Sequence, residues 1–213
     1  MSLTAKDVLD WITACAQVIA ENREWLIELD AAIGDADHGA NMDRGFKAVL
    51  AKLPELDGKD IGTILKTVGM TLVSTVGGAG GPLYGTFFLQ AGMKMSAKME
   101  LTPEDWLSAL EAGVQGVQQR GKAVPGDKTM LDALLPAVEA LRQSLAEGLP
   151  FDQALLRCSE AAEKGMKDTI PLVARKGRAS YLGERSAGHQ DPGATSSYLI
   201  LKAASEAWGD HSP

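Results

Sequence analysis

Strand signals, aromatic residues, cysteines and excess positive charge are all scarce in this chain, and each shortage excludes something. No stretch alternates apolar and polar residues convincingly over strand length, and Phe, Trp and Tyr make up only 5% of the 213 residues. A β-sandwich or β-barrel draws on that alternation and on aromatic and β-branched residues, so neither is expected. The two cysteines, Cys15 and Cys158, form neither a disulfide framework nor a metal-ligand spacing, and point to a reducing compartment. Lys and Arg number 21 against 28 Asp and Glu, for a formal net charge of −7, so neither nucleic acid nor an anionic membrane is an expected partner. The N-terminus lacks an apolar signal core, which places the protein in the cytoplasm. No charge occurs from Thr67 to Met93, but seven glycines and Pro82 interrupt that run. It therefore reads as two buried helices around a glycine loop, not as a membrane span.

What remains is helical periodicity. Val8, Ile12, Ala16 and Ile19 follow a start signal at Thr4-x-x-Asp7, and Ile61, Ile64, Leu65, Val68 and Leu72 form a second apolar stripe. Thr102-Pro103-Glu104-Asp105 combines an N-cap threonine, proline at N1 and first-turn acids; Trp106, Leu107, Leu110, Val114 and Val117 then supply a buried face. Further helices are predicted near 41–53, 83–99, 128–147, 151–172 and 194–208. About eight helices of bundle length with no linker or repeat predict one all-α domain over 1–213. Glycine, proline, aspartate and histidine concentrate in the connections 34–41, 77–82, 121–129 and 183–194. In an up-and-down arrangement these can gather at one end, where loops on a rigid scaffold commonly build a site.

The first connection carries Asp30, Asp35 and Asp37, followed by His38 and Gly39. Carboxylates packed that closely repel by roughly 4 kcal/mol per pair at ~4 Å and an effective dielectric near 20. A hard divalent cation, Mg²⁺ or Ca²⁺ rather than zinc, would offset this. The segment is not an EF-hand: counting from Asp35, the fifth position is Gly39 and the twelfth is Phe46. An incomplete acidic cage fits Mg²⁺, which completes its shell with water and substrate phosphates. Gly77-Gly78-Ala79-Gly80-Gly81 can converge backbone N–H groups on such an anion, and Pro82 can begin a helix behind it. It has neither the Gly-x-Gly-x-x-Gly spacing nor a preceding strand, which excludes a Rossmann site. Gly121 to Met130 nearly matches a P-loop, except that Asp127 stands where the lysine belongs; Asp127 is a candidate helix cap and Met130 a candidate contact to a base. The last connection holds Arg175, Lys176, Arg178 and Arg185 in an otherwise acidic protein, and bidentate arginines suit phosphate oxygens. Metal carboxylates, a glycine nest and a basic segment are the parts phosphoryl transfer requires.

Gly34-Asp35-Ala36-Asp37-His38-Gly39, Gly77 to Pro82, Pro125-Gly126-Asp127-Lys128-Thr129, and Gly177 to Arg185 with Asp191-Pro192-Gly193 resemble, in order over nearly the whole chain, the L-subunit family of dihydroxyacetone kinase. The resemblance implies a closed barrel of eight antiparallel helices with the nucleotide in the loops at one end. It implies ADP/ATP retained as a cofactor through two Mg²⁺ ions on Asp30, Asp35 and Asp37. His38, Gly39, Ala40, Asn41, Ala79 and Gly80 would meet the phosphates, and Gly121 and Met130 would line the adenosine pocket. Arg178 and the Asp191-Pro192-Gly193 turn would close over the nucleotide, with Arg178 as the catalytic stabiliser of the transferred group. The implied partners are a phosphohistidine-bearing M subunit, which rephosphorylates the ADP, and a K subunit carrying dihydroxyacetone. An ATP-exchanging kinase domain and a nucleotide-state signal to a transcription regulator are the alternatives. Family members commonly carry serine where this chain has Gly80, so a hydroxyl contact to phosphate is lost there.

Overall fold

Both threonine start signals form as written. In the computed structural model, which describes residues 2–209, Thr4 opens α1 (Ala5–Glu21) and Thr102 opens α6 (Pro103–Gly121). Each accepts a hydrogen bond from the N–H of the aspartate three residues on, and that carboxylate in turn accepts the threonine N–H. Between and after them run α2 (Arg23–Ile33), α3 (His38–Leu50), α4 (Ile61–Thr75), α5 (Gly80–Lys94), α7 (Leu131–Ala146), α8 (Phe151–Asp168) and α9 (Pro192–Trp208). Short 3₁₀ turns cover Leu53–Leu56 and Arg178–Ser186. Two short strands, β1 (Leu3–Thr4) and β2 (Glu100–Leu101), pair antiparallel with Leu3 opposite Leu101.

The neighbours run α1–α3–α4–α5–α6–α7–α8–α9 and back to α1, closing a ring of eight helices. Mostly short connections reverse the chain at each step, so successive members run antiparallel. The sequence does not announce α2. Leu26 and Ile33 are its buried apolar residues, and Arg23, Glu24 and Glu28 make the rest look like a solvated turn. The chain breaks at Asn22, whose side-chain amide donates to the Val18 carbonyl (2.8 Å), and α2 then packs outside the ring on α3 and α9. Its last turn carries Asp30.

One end of the ring is filled with aromatics. Trp11, Trp106 and Trp208 meet with ring centroids 4.8–5.3 Å apart in tilted and edge-on pairs, with Phe88 beside Trp11. The indole N–H of Trp11 donates to the Ile200 carbonyl and that of Trp208 to the Asp7 carbonyl. This wedge lies where α1 and α6 begin and α9 ends. The opposite end collects the starts of α3, α5, α7 and α9, and three of them begin earlier than the sequence predicts. His38, Gly80 and Pro192, expected in connections, already belong to first helical turns. The glycine-rich segments therefore end in first helical turns, not in open loops. No helix among the described residues is long and apolar enough to cross a membrane.

Candidate functional site

A cavity of about 510 Å³ opens among those N-termini, within the size range of small-molecule sites. At one end Asp30, Asp35 and Asp37 each place a carboxylate oxygen within 4.8 Å of the others. Asp30 is 8% exposed, and its Oδ2 accepts the backbone N–H groups of Asp37 (2.8 Å) and His38 (3.1 Å). It thus ties the end of α2 to the start of α3 and fixes the spacing of the cluster. Ala36, with φ of 60°, makes the left-handed turn that puts Asp35 and Asp37 on the same side. Asp35 pairs with Arg178 at 3.0 Å. An all-carboxylate group against one arginine fits a hard divalent cation.

The middle of the cavity is lined by backbone. Helix α5 starts without any side-chain cap, so its first N–H groups remain available to an anion, with the positive end of the helix dipole behind them. Gly78 reaches this arrangement through φ of +61°, a conformation that only glycine adopts freely. Beyond it lies an apolar wall of Leu83, Val117, Ala123, Met130 and Leu131, with Gly121 at the end of α6. Arg120 and Lys176 add positive charge to the lining. Acid cluster, amide cradle and apolar wall thus occupy one cavity in sequence.

The remaining walls are held by buried polar groups. Asp132 reaches back to accept the N–H groups of Gly126 (2.6 Å) and Thr129 (2.8 Å), so it, and not Asp127, stabilises the start of α7. Asp127 instead accepts the Val124 N–H, and its own carbonyl accepts from Arg175. Asp191 caps α9 through the Ala194 N–H (2.7 Å) and is buried. Burial pushes its carboxyl up from 3.8 to about 7, and the Ala194 bond and Lys128 only partly oppose this. A carboxyl whose pKa rises on folding binds protons as the chain folds. Asp191 therefore favours the native state at low pH, and that contribution fades as pH climbs from 3.8 to about 7. Asp191→Asn keeps a capping oxygen. Calorimetry across that window should show the thermal midpoint of the parent falling more, relative to the variant, as pH rises. Parallel profiles would contradict the burial assignment.

His38 is in the lining but its ring is committed: Nε2 lies 2.8 Å from Ser196 Oγ, which continues to the Tyr84 hydroxyl (2.6 Å) and from there to Ser197 (2.9 Å). Burial holds the imidazole below its ordinary 6.5, against the pull of Asp30 and Asp37. Gly39 and Ala40 are not part of the lining. A side chain at Gly39 would collide with the Arg23 carbonyl, so that glycine permits close packing of α2 on α3. Asn41, Ala79, Gly80, Gly121, Met130, Arg178, Asp191, Pro192 and Gly193 all line it with the three aspartates. Met130 is 4% exposed and serves chiefly as core beneath the wall. Sequence reasoning missed Leu83, Val117 and Leu131, which read as ordinary core, and Arg120, an ordinary charge at a helix end.

Residues 32–206 match the DAK2 domain model. The chain is 52% identical over 202 residues to the ADP-binding subunit of the PEP-dependent dihydroxyacetone kinase of Escherichia coli (strain K12), covering 95% of this chain and 96% of the relative. It is 40% identical over 204 residues to the ADP-binding subunit of the PTS-dependent dihydroxyacetone kinase of Lactococcus lactis, covering 96% and 98%. The crystal structure of the C. freundii dihydroxyacetone kinase in complex with AMP-PNP and Mg²⁺ superposes with a TM-score of 0.71 at 27% identity, over 93% of this chain. The chain spans 33% of that enzyme's length.

Proposed function

This chain belongs to the DAK2 domain family, and on that premise we propose that it is the ADP-binding phosphotransfer subunit of a dihydroxyacetone kinase. In this reading a phosphohistidine on an M subunit recharges resident ADP, and the phosphoryl group passes to dihydroxyacetone held by a K subunit, all in the cytoplasm. The whole chain acts as one nucleotide-binding domain. The reading rests on one observation above others: a carboxylate cluster, the uncapped N-terminus of α5 and an apolar wall share a single cavity.

Asp30, Asp35 and Asp37 would hold two Mg²⁺ ions, which when bound neutralise phosphate charge and orient the transferring group. The chain supplies the rest. First-turn N–H groups of α5 bind phosphate oxygens, and with Gly80 in place of serine this contact is made by backbone alone. Arg178 stabilises the transferring group from the segment between α8 and α9. Gly121, Met130 and the apolar wall exclude water around the adenosine, and Asp191, Pro192 and Gly193 close the far side. No side chain is placed as a covalent nucleophile, so catalysis is positioning plus charge stabilisation.

Two readings share this geometry. A resident cofactor stays put, whereas an ATP-dependent kinase domain exchanges its nucleotide. Protein carrying labelled ADP and Mg²⁺, dialysed against unlabelled ATP, should retain the label over many hours. Loss within minutes would favour the exchanging kinase. A nucleotide-state signal to a transcription regulator is compatible with transfer, and capture of that regulator by only one nucleotide form would support it.

A further inference from the structure

Asn41 stands where α3, the end of α4 and the glycine segment meet. Its side chain is 7% exposed and lines the cavity. Arg44, one turn later and on the surface, donates from one terminal guanidinium nitrogen to Asn41 Oδ1 (2.6 Å) and from Nε to the Thr75 carbonyl (2.9 Å). The amide also lies against Gly77: a Cβ there would come within 2.9 Å of Oδ1 and 3.0 Å of Nδ2. Rotation of the amide is therefore confined from one side and bonded on the other. A guanidinium carries donors only, so whatever faces it has to be an acceptor. That forces the Asn41 oxygen toward Arg44 and leaves Nδ2, which has no hydrogen-bond partner among the described residues, as the free edge in the cavity lining.

We infer that Arg44 is a positioning residue for the nucleotide site: it fixes the Asn41 amide as a hydrogen-bond donor to a phosphate oxygen. The inference rests on the phosphate-binding reading above. Without Arg44 the amide can turn over and present oxygen to an anion, replacing attraction by repulsion. The same guanidinium holds the last residue of α4, two positions before Gly77, so the donor and the amide cradle keep a common register.

The test is the release rate of labelled ADP, in excess Mg²⁺ and unlabelled ADP, from the parent, Arg44→Met, Asn41→Ala and the double variant. Loss of one charge-facing hydrogen bond predicts release about tenfold faster in each single variant. Because both act through one amide, the double variant should release no faster than Asn41→Ala alone. Arg44→Lys, also a pure donor, should be intermediate. Thermal midpoints identify any variant that has lost its fold, and Arg44 is exposed, so the fold should hold. An Arg44→Met release rate equal to the parent's would overturn the inference, as would full additivity in the double variant. If instead the parent itself holds no ADP, the nucleotide reading fails first, and the inference with it.

Discussion

Asp35→Ala is expected to release its ADP while keeping its helices. Among the described residues neither Asp35 nor Asp37 makes a side-chain hydrogen bond, and Asp37 opens α3; the contact of Asp35 is the ion pair with Arg178, in which the aspartate side chain is 33% exposed and the arginine 67%. Asp30, by contrast, organises the backbone of residues 37 and 38, so its removal confuses binding with folding. Deleting a ligand from a three-carboxylate metal cluster should weaken metal-dependent nucleotide binding by at least about a hundredfold, or ~2.7 kcal/mol. Stability of the nucleotide-free protein should not fall, because one member of a self-repelling cluster is gone. Mass spectrometry of the purified variant should therefore find no ADP, with far-UV circular dichroism unchanged. ADP retained at the parent's level would show that Asp35 is no metal ligand.

Lys128→Met should produce the largest loss of stability. Lys128 is 1% exposed, and its ammonium donates to the carbonyls of Thr169 (2.7 Å), Ile170 (3.4 Å) and His189. Two of these carbonyls close the C-terminal end of α8, where a cation also suits the helix dipole. The third begins the approach to α9, so one side chain pins both ends of the segment that carries Arg178. Methionine keeps the volume but leaves the His189 carbonyl without a donor and strips the second, charged donor from the Thr169 and Ile170 carbonyls, which keep the N–H groups of Leu172 and Gly188, at a cost of about 3 kcal/mol. For a chain of this size that lowers the thermal midpoint by roughly 10 °C. ADP release should also quicken, because Arg178 is no longer held over Asp35. An unchanged midpoint would mean that water satisfies those carbonyls and the pin is dispensable.

Local chemistry made the helices and the acid cluster legible in the sequence, whereas the closed ring followed only from the family resemblance. The apolar stripes recur at helical spacing, Thr4 and Thr102 announce their helices, and Asp30, Asp35 and Asp37 lie close enough in the chain to form one cluster under almost any fold. The glycine segments were equally plain, although His38, Gly80 and Pro192 proved to be helical. Helix α2 was hidden because most of its buried contact is made by few residues, Leu26 and Ile33 among them. Arg44, Lys128 and Asp132 were hidden for a different reason. A lone arginine on a helix, a lysine beside an aspartate and an aspartate in a first turn read as solvated charges. Only the fold brings Thr75 to Arg44, His189 to Lys128 and Gly126 back to Asp132. Pairing at such separations, off the helical spacing, leaves no periodic trace in a single sequence.

Native mass spectrometry of the chain as purified in the presence of Mg²⁺ tests the central claim most directly. The dominant species should carry one ADP and two magnesium ions, and chelation should remove nucleotide and metal together. A bare chain that takes up no ADP even when Mg²⁺ and ADP are supplied would contradict the account.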